Sequence, residues 1–240
     1  MKAHDASEKI VKWIAAKVKE AGAKGVVIGM SGGVDSSVAA VLAKRALGKN
    51  MLGLMLPCDS NPKDAKLAKL VAKKFGIPTK KIELTAVFRK FKRILPAADK
   101  KTLGNLKARL RMSVLYYFAN KYRYLVLGAS NRSEIWVGYF TKHGDGAADL
   151  LPLGGFYKTQ VVELARYLGL PKEIIKARPS AGLWKGQSDE KEIGMSYAAL
   201  DMVLWLMENG RQKKSPRTQK VAEMIKRSKH KRKMPEIFYI

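Results

Sequence analysis

Within seven residues the stretch SGGVDSS, Ser31 to Ser37, sets three hydroxyls, two glycines and one carboxylate. Gly32 and Gly33 let backbone N–H groups come close to an anion, and the helix expected to follow adds the partial positive charge of its N-terminus. Ser31, Ser36 and Ser37 add hydroxyl donors. This pattern suits phosphate, yet no lysine follows the glycines, so it is not the common GxxxxGK(S/T) loop. Asp35 stands in the loop instead. Like charges repel, so a carboxylate there is expected to reach phosphate through a cation, with Mg2+ bridging carboxylate and phosphate oxygens. The plain alternative is a strand-to-helix turn in which Asp35 or Ser36 caps the helix.

Such a loop needs a strand before it and a helix after it, and the chain supplies both. GVVIGM (25–30) is a continuous apolar run, as in a strand buried on both faces, and Val38, Val41 and Leu42 mark the apolar side of a helix over about 36–47. MLGLML (51–56), KKIEL (80–84) and YLVLG (124–128) predict three more strands, and 62–75 a helix with Pro62 in its first turn. Further helices are expected over 8–20, with Ile10, Trp13, Ile14 and Val18 at helical spacing, and over 86–95, 103–121, 158–168, 189–209 and 216–228. Residues 129–158 read as loop-rich. Alternation of this kind predicts an α/β fold, a doubly wound parallel sheet with helices on both faces. Ligands of such sheets sit at the carboxyl ends of the strands, so the loops at 31–36 and 129–134 are expected to meet over one pocket. No repeat or linker divides the chain, and one domain over 1–240 is expected, with 211–240 as a peripheral helix and basic tail.

Lys and Arg number 47 against 20 Asp and Glu, a formal net charge of +27. The excess gathers at 61–107, with fourteen basic and three acidic residues, and at 211–240, with eleven and two. Such a field attracts polyanions, nucleic acid among them. The lysines of KDAKLAKLVAKKFG, however, fall between helix-period apolar positions, as on a solvated face, and nucleic acid is not the expected partner. Cys58 is the single cysteine, which excludes a disulfide framework and any multi-cysteine metal site. No apolar run approaches the roughly 20 residues of a membrane-spanning helix. The N-terminal residues carry scattered charge and no apolar signal core, and a cytoplasmic location is expected.

SGGVDSS after a buried strand resembles the loop of the ATP pyrophosphatases, which cleave ATP to AMP and pyrophosphate. There the loop holds the departing pyrophosphate, which explains the missing lysine. NLKARLRM (105–112), ASNRSE (129–134), GYFTKHGDGAADLLPLGGFYKTQV (138–161), RPSAGLW (178–184), GQSDEKEIGMSY (186–197) and HKRKMP (230–235) follow in the order of ammonia-dependent NAD synthetases. The resemblance runs from about Gly29 to Pro235. It implies a Rossmann-like, adenine nucleotide alpha hydrolase-like fold and ATP-dependent amidation of deamido-NAD by ammonia, through an adenylated nicotinate carboxylate. It further implies that Gly29, Met30, Ser31, Gly32, Gly33, Val34, Asp35 and Ser36 form the ATP loop. Asp35 and Glu134 would bind Mg2+, and Ala129, Lys158 and Ser180 would contact ATP, with Asp35, Glu134 and Lys158 as the catalytic set. Lys158 opens a helix, where a lysine is disfavoured unless an anion lies nearby. Arg109, Lys142, Asp149, His230 and Lys231 match the deamido-NAD positions.

One departure is Ala129, where the family usually has a threonine whose hydroxyl meets ATP; Ser130 or backbone would have to compensate. The glycine-containing segment 141–149 is expected to order over substrate. His143 within it is not assigned as a base, and Asp189 and Glu190 are expected to cap the helix that follows them, guidance of ammonium being the other role open to them. The resemblance also implies a homodimer, for which Met112, Leu115, Tyr116 and Phe118 offer apolar surface. Glutamine-dependent relatives carry an added amidase with a catalytic cysteine; Cys58 has no plausible relay, so ammonia comes from solution or from a separate glutaminase. The rival expectation, encouraged by the charge, is a tRNA-modifying ATP pyrophosphatase. The lone cysteine argues against the thiolating members of that class.

Overall fold

A computed structural model describes residues 2–238. The chain begins with α1 (Ala3–Glu20), β1 (Gly25–Gly29), α2 (Val34–Leu47), β2 (Met51–Met55), α3 (Pro62–Phe75) and β3 (Thr79–Lys81). It continues through α4 (Thr85–Ile94), α5 (Lys100–Tyr122), β4 (Tyr124–Leu127), α6 (Arg132–Val137), α7 (Lys158–Tyr167) and α8 (Lys172–Ile175). It ends with α9 (Asp189–Ile193), α10 (Tyr197–Glu208), α11 (Pro216–Arg227) and a 3₁₀ turn, Lys229–Arg232.

The four strands form a parallel sheet in the order β3-β2-β1-β4. Successive side chains along a strand point to opposite faces, and both faces here are apolar. Val26 and Ile28 of β1, Met51 and Met55 of β2 and Leu127 of β4 join α1, α2, α3 and α7 in one core. Val27, Leu54 and Val126 point the other way, into a core shared with Phe88 of α4 and Phe118 of α5. A third cluster gathers Val137, Tyr157, Ile193, Tyr197, Leu200, Leu204 and Val221, so α6, α9, α10 and α11 pack on one another and beside the start of α7 rather than on the sheet.

Strand order reverses between β1 and β4: from β1 the chain winds outward to β2 and β3, then returns to β4 on the opposite side. The crevice at such a switch point is where doubly wound sheets hold ligands. The loops that leave β1 and β4 are 30–33 and 128–131, as the alternation of elements predicts.

Several expectations are corrected. Residues 189–209 are not one helix: Gly194 at φ +78° ends α9, and a Cβ there would meet Lys220 Nζ. The loop-rich section contains α6, begun by a capping box in which Asn131 Oδ1 accepts from Glu134 N at 3.1 Å and Glu134 Oε2 accepts from Asn131 N at 3.4 Å. Trp13 lies at helical spacing but is 38% exposed, off the buried stripe of Ile10, Ile14 and Val18. Phe118 is buried, and Leu115 and Tyr116 pack partly on the same core, so of the apolar residues of α5 these three already have partners within the chain. Tyr117 is the exposed aromatic of that helix.

Candidate active site

The glycine loop expected to hold phosphate takes its shape from β1 and from α3. Met30 N donates to Leu54 O at 2.8 Å, which ends the sheet and turns the chain. Gly32 then adopts φ +84°, and a Cβ on it would come within 2.4 Å of the Asp64 carbonyl oxygen in the first turn of α3. No other residue fits there. Ser31 Oγ and Ser36 Oγ lie 2.9 Å apart, Gly33 N donates to Ser31 Oγ, and Ser37 Oγ donates to Gly33 O at 2.7 Å. Gly33, not Asp35 or Ser36, is the N-cap of α2. The first N–H groups of α2 have no partner within the helix and remain available to an anion. Met30 and Val34 contribute to this loop through backbone only, since both side chains are buried in the core.

Asp35, Glu134 and Lys158 come together at the switch point from three different elements. Lys158 Nζ donates to Asp35 Oδ2, in a short ion pair, and to Glu134 Oε1 at 3.3 Å. Asn131 Nδ2 holds the other Asp35 oxygen at 3.0 Å. Tyr197 OH donates to Glu134 Oε1 at 3.2 Å, and its ring lies 4.9 Å beneath the Lys158 ammonium. Burial pushes the Glu134 carboxyl up to about 7; the Lys158 ammonium opposes this, and the charges of Asp35 and Asp189 add to it. Burial alone would pull the Lys158 ammonium down, yet Asp35 and Glu134 hold it above its ordinary value, so it stays charged.

Lys158 is the first residue of α7, an unfavourable place for a cation, and the surroundings explain how it is tolerated. Besides its two carboxylates, the helix terminus is capped from outside: Lys158 N donates to Ser133 Oγ at 2.9 Å and Thr159 N to Asp201 Oδ2 at 2.9 Å. Asp201, buried in α10, also accepts from the Ser133 hydroxyl. Ser133, Asp201, Asn131 and Tyr197 are thus site residues that sequence reasoning missed. Two had a readable sign: Asn131 and Glu134 form an N-x-x-E capping box, and Asp201 is the only acid in the otherwise apolar run YAALDMVLWLM.

Asp189 is corrected from its expected capping role. It is 4% exposed, its Oδ1 accepts from Ala181 N at 2.9 Å and Tyr139 OH at 3.0 Å, and its Oδ2 lies 3.3 Å from Tyr197 OH, whose one proton it shares with Glu134. Burial raises its carboxyl and keeps both phenols protonated as donors. Glu190 instead accepts from Tyr197 N at 2.9 Å, bracing the start of α10.

The residues matched to deamido-NAD gather on the loop 138–149. Arg109 Nη2 donates to Lys142 O at 3.2 Å. Lys231 Nζ donates to Gly138 O at 2.8 Å and Phe140 O at 2.7 Å, so the basic tail is pinned here rather than loose. Asp149 accepts from Val126 N at 2.6 Å and from Tyr116 OH at 3.3 Å, closing the edge of β4. The loop is therefore already tied at both ends. Lys142 is half-buried and His230 exposed. Ser180 Oγ accepts from Gly182 N at 3.1 Å, and Ala129 packs on the first core with no hydroxyl to offer.

The NAD synthase family model matches residues 6–235. The NH(3)-dependent NAD(+) synthetase of Methanocaldococcus jannaschii is 49% identical over 95% of this chain and 93% of its own. Among solved structures, the NMN synthetase from Francisella tularensis superposes with a TM-score of 0.93 at 37% identity over 100% of both chains. The NH3-dependent NAD synthetase from Campylobacter jejuni does so with a TM-score of 0.87 at 32% identity, again over 100% of both. A glycine loop and an acid–lysine cluster at the switch point of a parallel sheet thus coincide with matches along nearly the whole sequence, and the chain belongs to the NAD synthase family.

Proposed function

We propose that this chain amidates the nicotinate carboxylate of deamido-NAD with ammonia at the expense of ATP. The observation that carries it is the cluster Asp35–Lys158–Glu134 beside a phosphate loop, in a chain of this family. A nicotinate carboxylate oxygen attacks the α-phosphorus of ATP, and the electron pair of the broken P–O bond leaves on pyrophosphate. Ammonia then adds to the activated carbonyl carbon, the C–O bond to AMP breaks, and the nitrogen loses a proton. The first N–H groups of α2 hold the phosphates, and the Lys158 ammonium offsets charge gathering on pyrophosphate. Asp189, which accepts from Tyr139 OH and shares the Tyr197 hydroxyl with Glu134, is a second buried acid near this path.

The donor set suits Mg2+. Asp35 and Glu134 are hard oxygen ligands that already share one cation, the Lys158 ammonium. Among the described residues no three His, Cys, Asp or Glu side chains form a metal cage. Asp35 and Glu134 would hold the ion through their carboxylate oxygens. Bound there, Mg2+ would supply charge neutralisation for ATP.

A homodimer, a cytoplasmic place and free or partner-delivered ammonia are parts of the same proposal. The resemblance to ammonia-dependent synthetases and the exposed Tyr117 of α5 support the first. No helix among the described residues is long and apolar enough to cross a membrane.

The test is turnover of deamido-NAD, ATP, Mg2+ and ammonium by the purified chain, following NAD, AMP and pyrophosphate together. Equal yields of the three, lost in Asp35→Ala, are expected. The likeness to an NMN synthetase gives a second arm, with the corresponding acid mononucleotide as acceptor. Faster turnover of the mononucleotide would move the substrate assignment, and ATP cleavage that needs tRNA would overturn the reaction.

A further inference from the structure

Lys107 is a buried cation that the chemistry above does not use. It is 6% exposed on α5, and among the described residues no carboxylate lies within ion-pair distance of its ammonium. A lysine so placed costs free energy unless its donors are satisfied. They are satisfied by two backbone carbonyls: Nζ donates to Leu183 O at 2.9 Å and to Asp59 O at 3.3 Å, and lies 4.9 Å from the Phe88 ring centroid. The carbonyls belong to segments more than a hundred residues apart. Asp59 lies in the loop after β2, with φ +52°, an uncommon backbone state for a residue with a side chain. Leu183 lies in the strap 178–188 that leads into Asp189.

The strap has a prepared seat. One turn before Lys107, a Cβ on Gly104 would come within 3.1 Å of Leu183 Cβ and of the Trp184 ring, so the strap lies tight on α5 at this glycine and a side chain there would press it outward. On its other side, a Cβ on Gly182 would lie 3.6 Å from Asp64 Oδ2, and Asp64 is the residue whose carbonyl packs against Gly32 of the phosphate loop. Strap, first turn of α3 and phosphate loop are therefore stacked. Within the strap, Leu183 N donates to Gln187 Oε1 at 2.8 Å and Ala181 N to Asp189 Oδ1 at 2.9 Å.

We propose that Lys107 is a positioning residue for the reaction: a clasp that fastens the strap 178–188 to the loop after β2 and so holds one wall of the ATP site against the phosphate loop. It rests on the proposed ATP site, but its seat can be tested without substrate. A clasp of backbone carbonyls sets position only, and Lys107 takes no part in bond making.

Lys107→Met keeps the length and apolar contact of the stem while removing the donors; Lys107→Arg restores donors. Trypsin cleavage after the exposed Lys185 in the native chain reports how often the strap leaves its seat. Loss of a charge-assisted hydrogen bond predicts about a tenfold rise in cleavage rate and in KM for ATP in Lys107→Met, with kcat changed less and Lys107→Arg partly rescued. A folded Lys107→Met with unchanged cleavage and unchanged KM would overturn the clasp. Should that variant fail to fold, Gly104→Leu, which fills the seat and leaves Lys107 in place, carries the same test: faster cleavage upholds the seat and unchanged cleavage overturns it. Cleavage needs no substrate, so a chain inactive on deamido-NAD would fail the functional reading while still answering for the clasp.

Discussion

Glu134 carries the pH dependence of the cluster. Burial lifts its carboxyl from 4.5 to about 7, so between these values the folded chain holds a proton that the unfolded chain has released. Stability rises with pH only where the unfolded state binds more protons, so here it falls as pH rises from 4.5 through 7. In chelator, the parent chain is expected to lose up to about 3 kcal/mol from this group across that window. Glu134→Gln should be free of that loss and overtake the parent above pH 7. Urea unfolding of both chains at pH 5 and pH 8 checks it; parallel curves at both values would show that Glu134 is ionised throughout. At this scale the sequence was partly legible. Asp35 and the glycines stand in one contiguous loop, whereas Tyr197 and Asp189 act through contacts with residues 63 and 50 positions away. No local pattern encodes such a contact.

Elements fix where these side chains sit. The N-terminus of α7 is capped by Ser133 and Asp201, which also sets the start of Lys158. Asp201→Ala is expected to cost about 1–2 kcal/mol as a lost cap, together with a fall in kcat larger than any change in KM for ATP. Thermal melts and steady-state rates separate the two, and a normal kcat in a destabilised chain would mean that α7 holds its register without the cap. Gly32→Ala meets both a positive φ and the Asp64 carbonyl at 2.4 Å. It should destabilise the chain by more than about 1 kcal/mol and abolish ATP binding measured by calorimetry. β1, β2 and β4 and most of the long helices could be read from apolar period, whereas β3, expected at 80–84, lies at Thr79–Lys81, and the short α8 gave no period to read. The break at Gly194 shows in residue type, a helix-end glycine followed by the N-cap Ser196, which apolar period does not register, and α6 was missed because six residues are too short for a period to show.

Across the whole molecule the net charge of +27 acts as a field on two polyanionic substrates. Raising salt from about 50 to about 300 mM shortens the reach of that field, so KM for deamido-NAD is expected to rise several-fold while kcat stays nearly constant. A flat KM would mean that the long-range field does not contribute and that only groups in direct contact with the substrate matter. Part of the charge is also structural. Lys231 and Arg232 spend their donors on carbonyls of 135–140, tying the tail at 229–232 to α6 and the loop after it. Composition could not separate these from solvated lysines, since a pinned and a free lysine have the same letter.

By itself the sequence determined the parallel α/β architecture, the glycine turn between β1 and α2 and the family, because apolar period, glycine position and ordered motifs are local or linear properties. Tertiary structure alone decided that strand order reverses between β1 and β4, and so that Asp35 and Glu134 share the ammonium of Lys158. It also decided that Asp189 faces tyrosines instead of capping a helix, and that Lys107 clasps two distant loops. Those outcomes depend on which faces come into contact when the cores close, and burial then fixes which polar groups must satisfy one another.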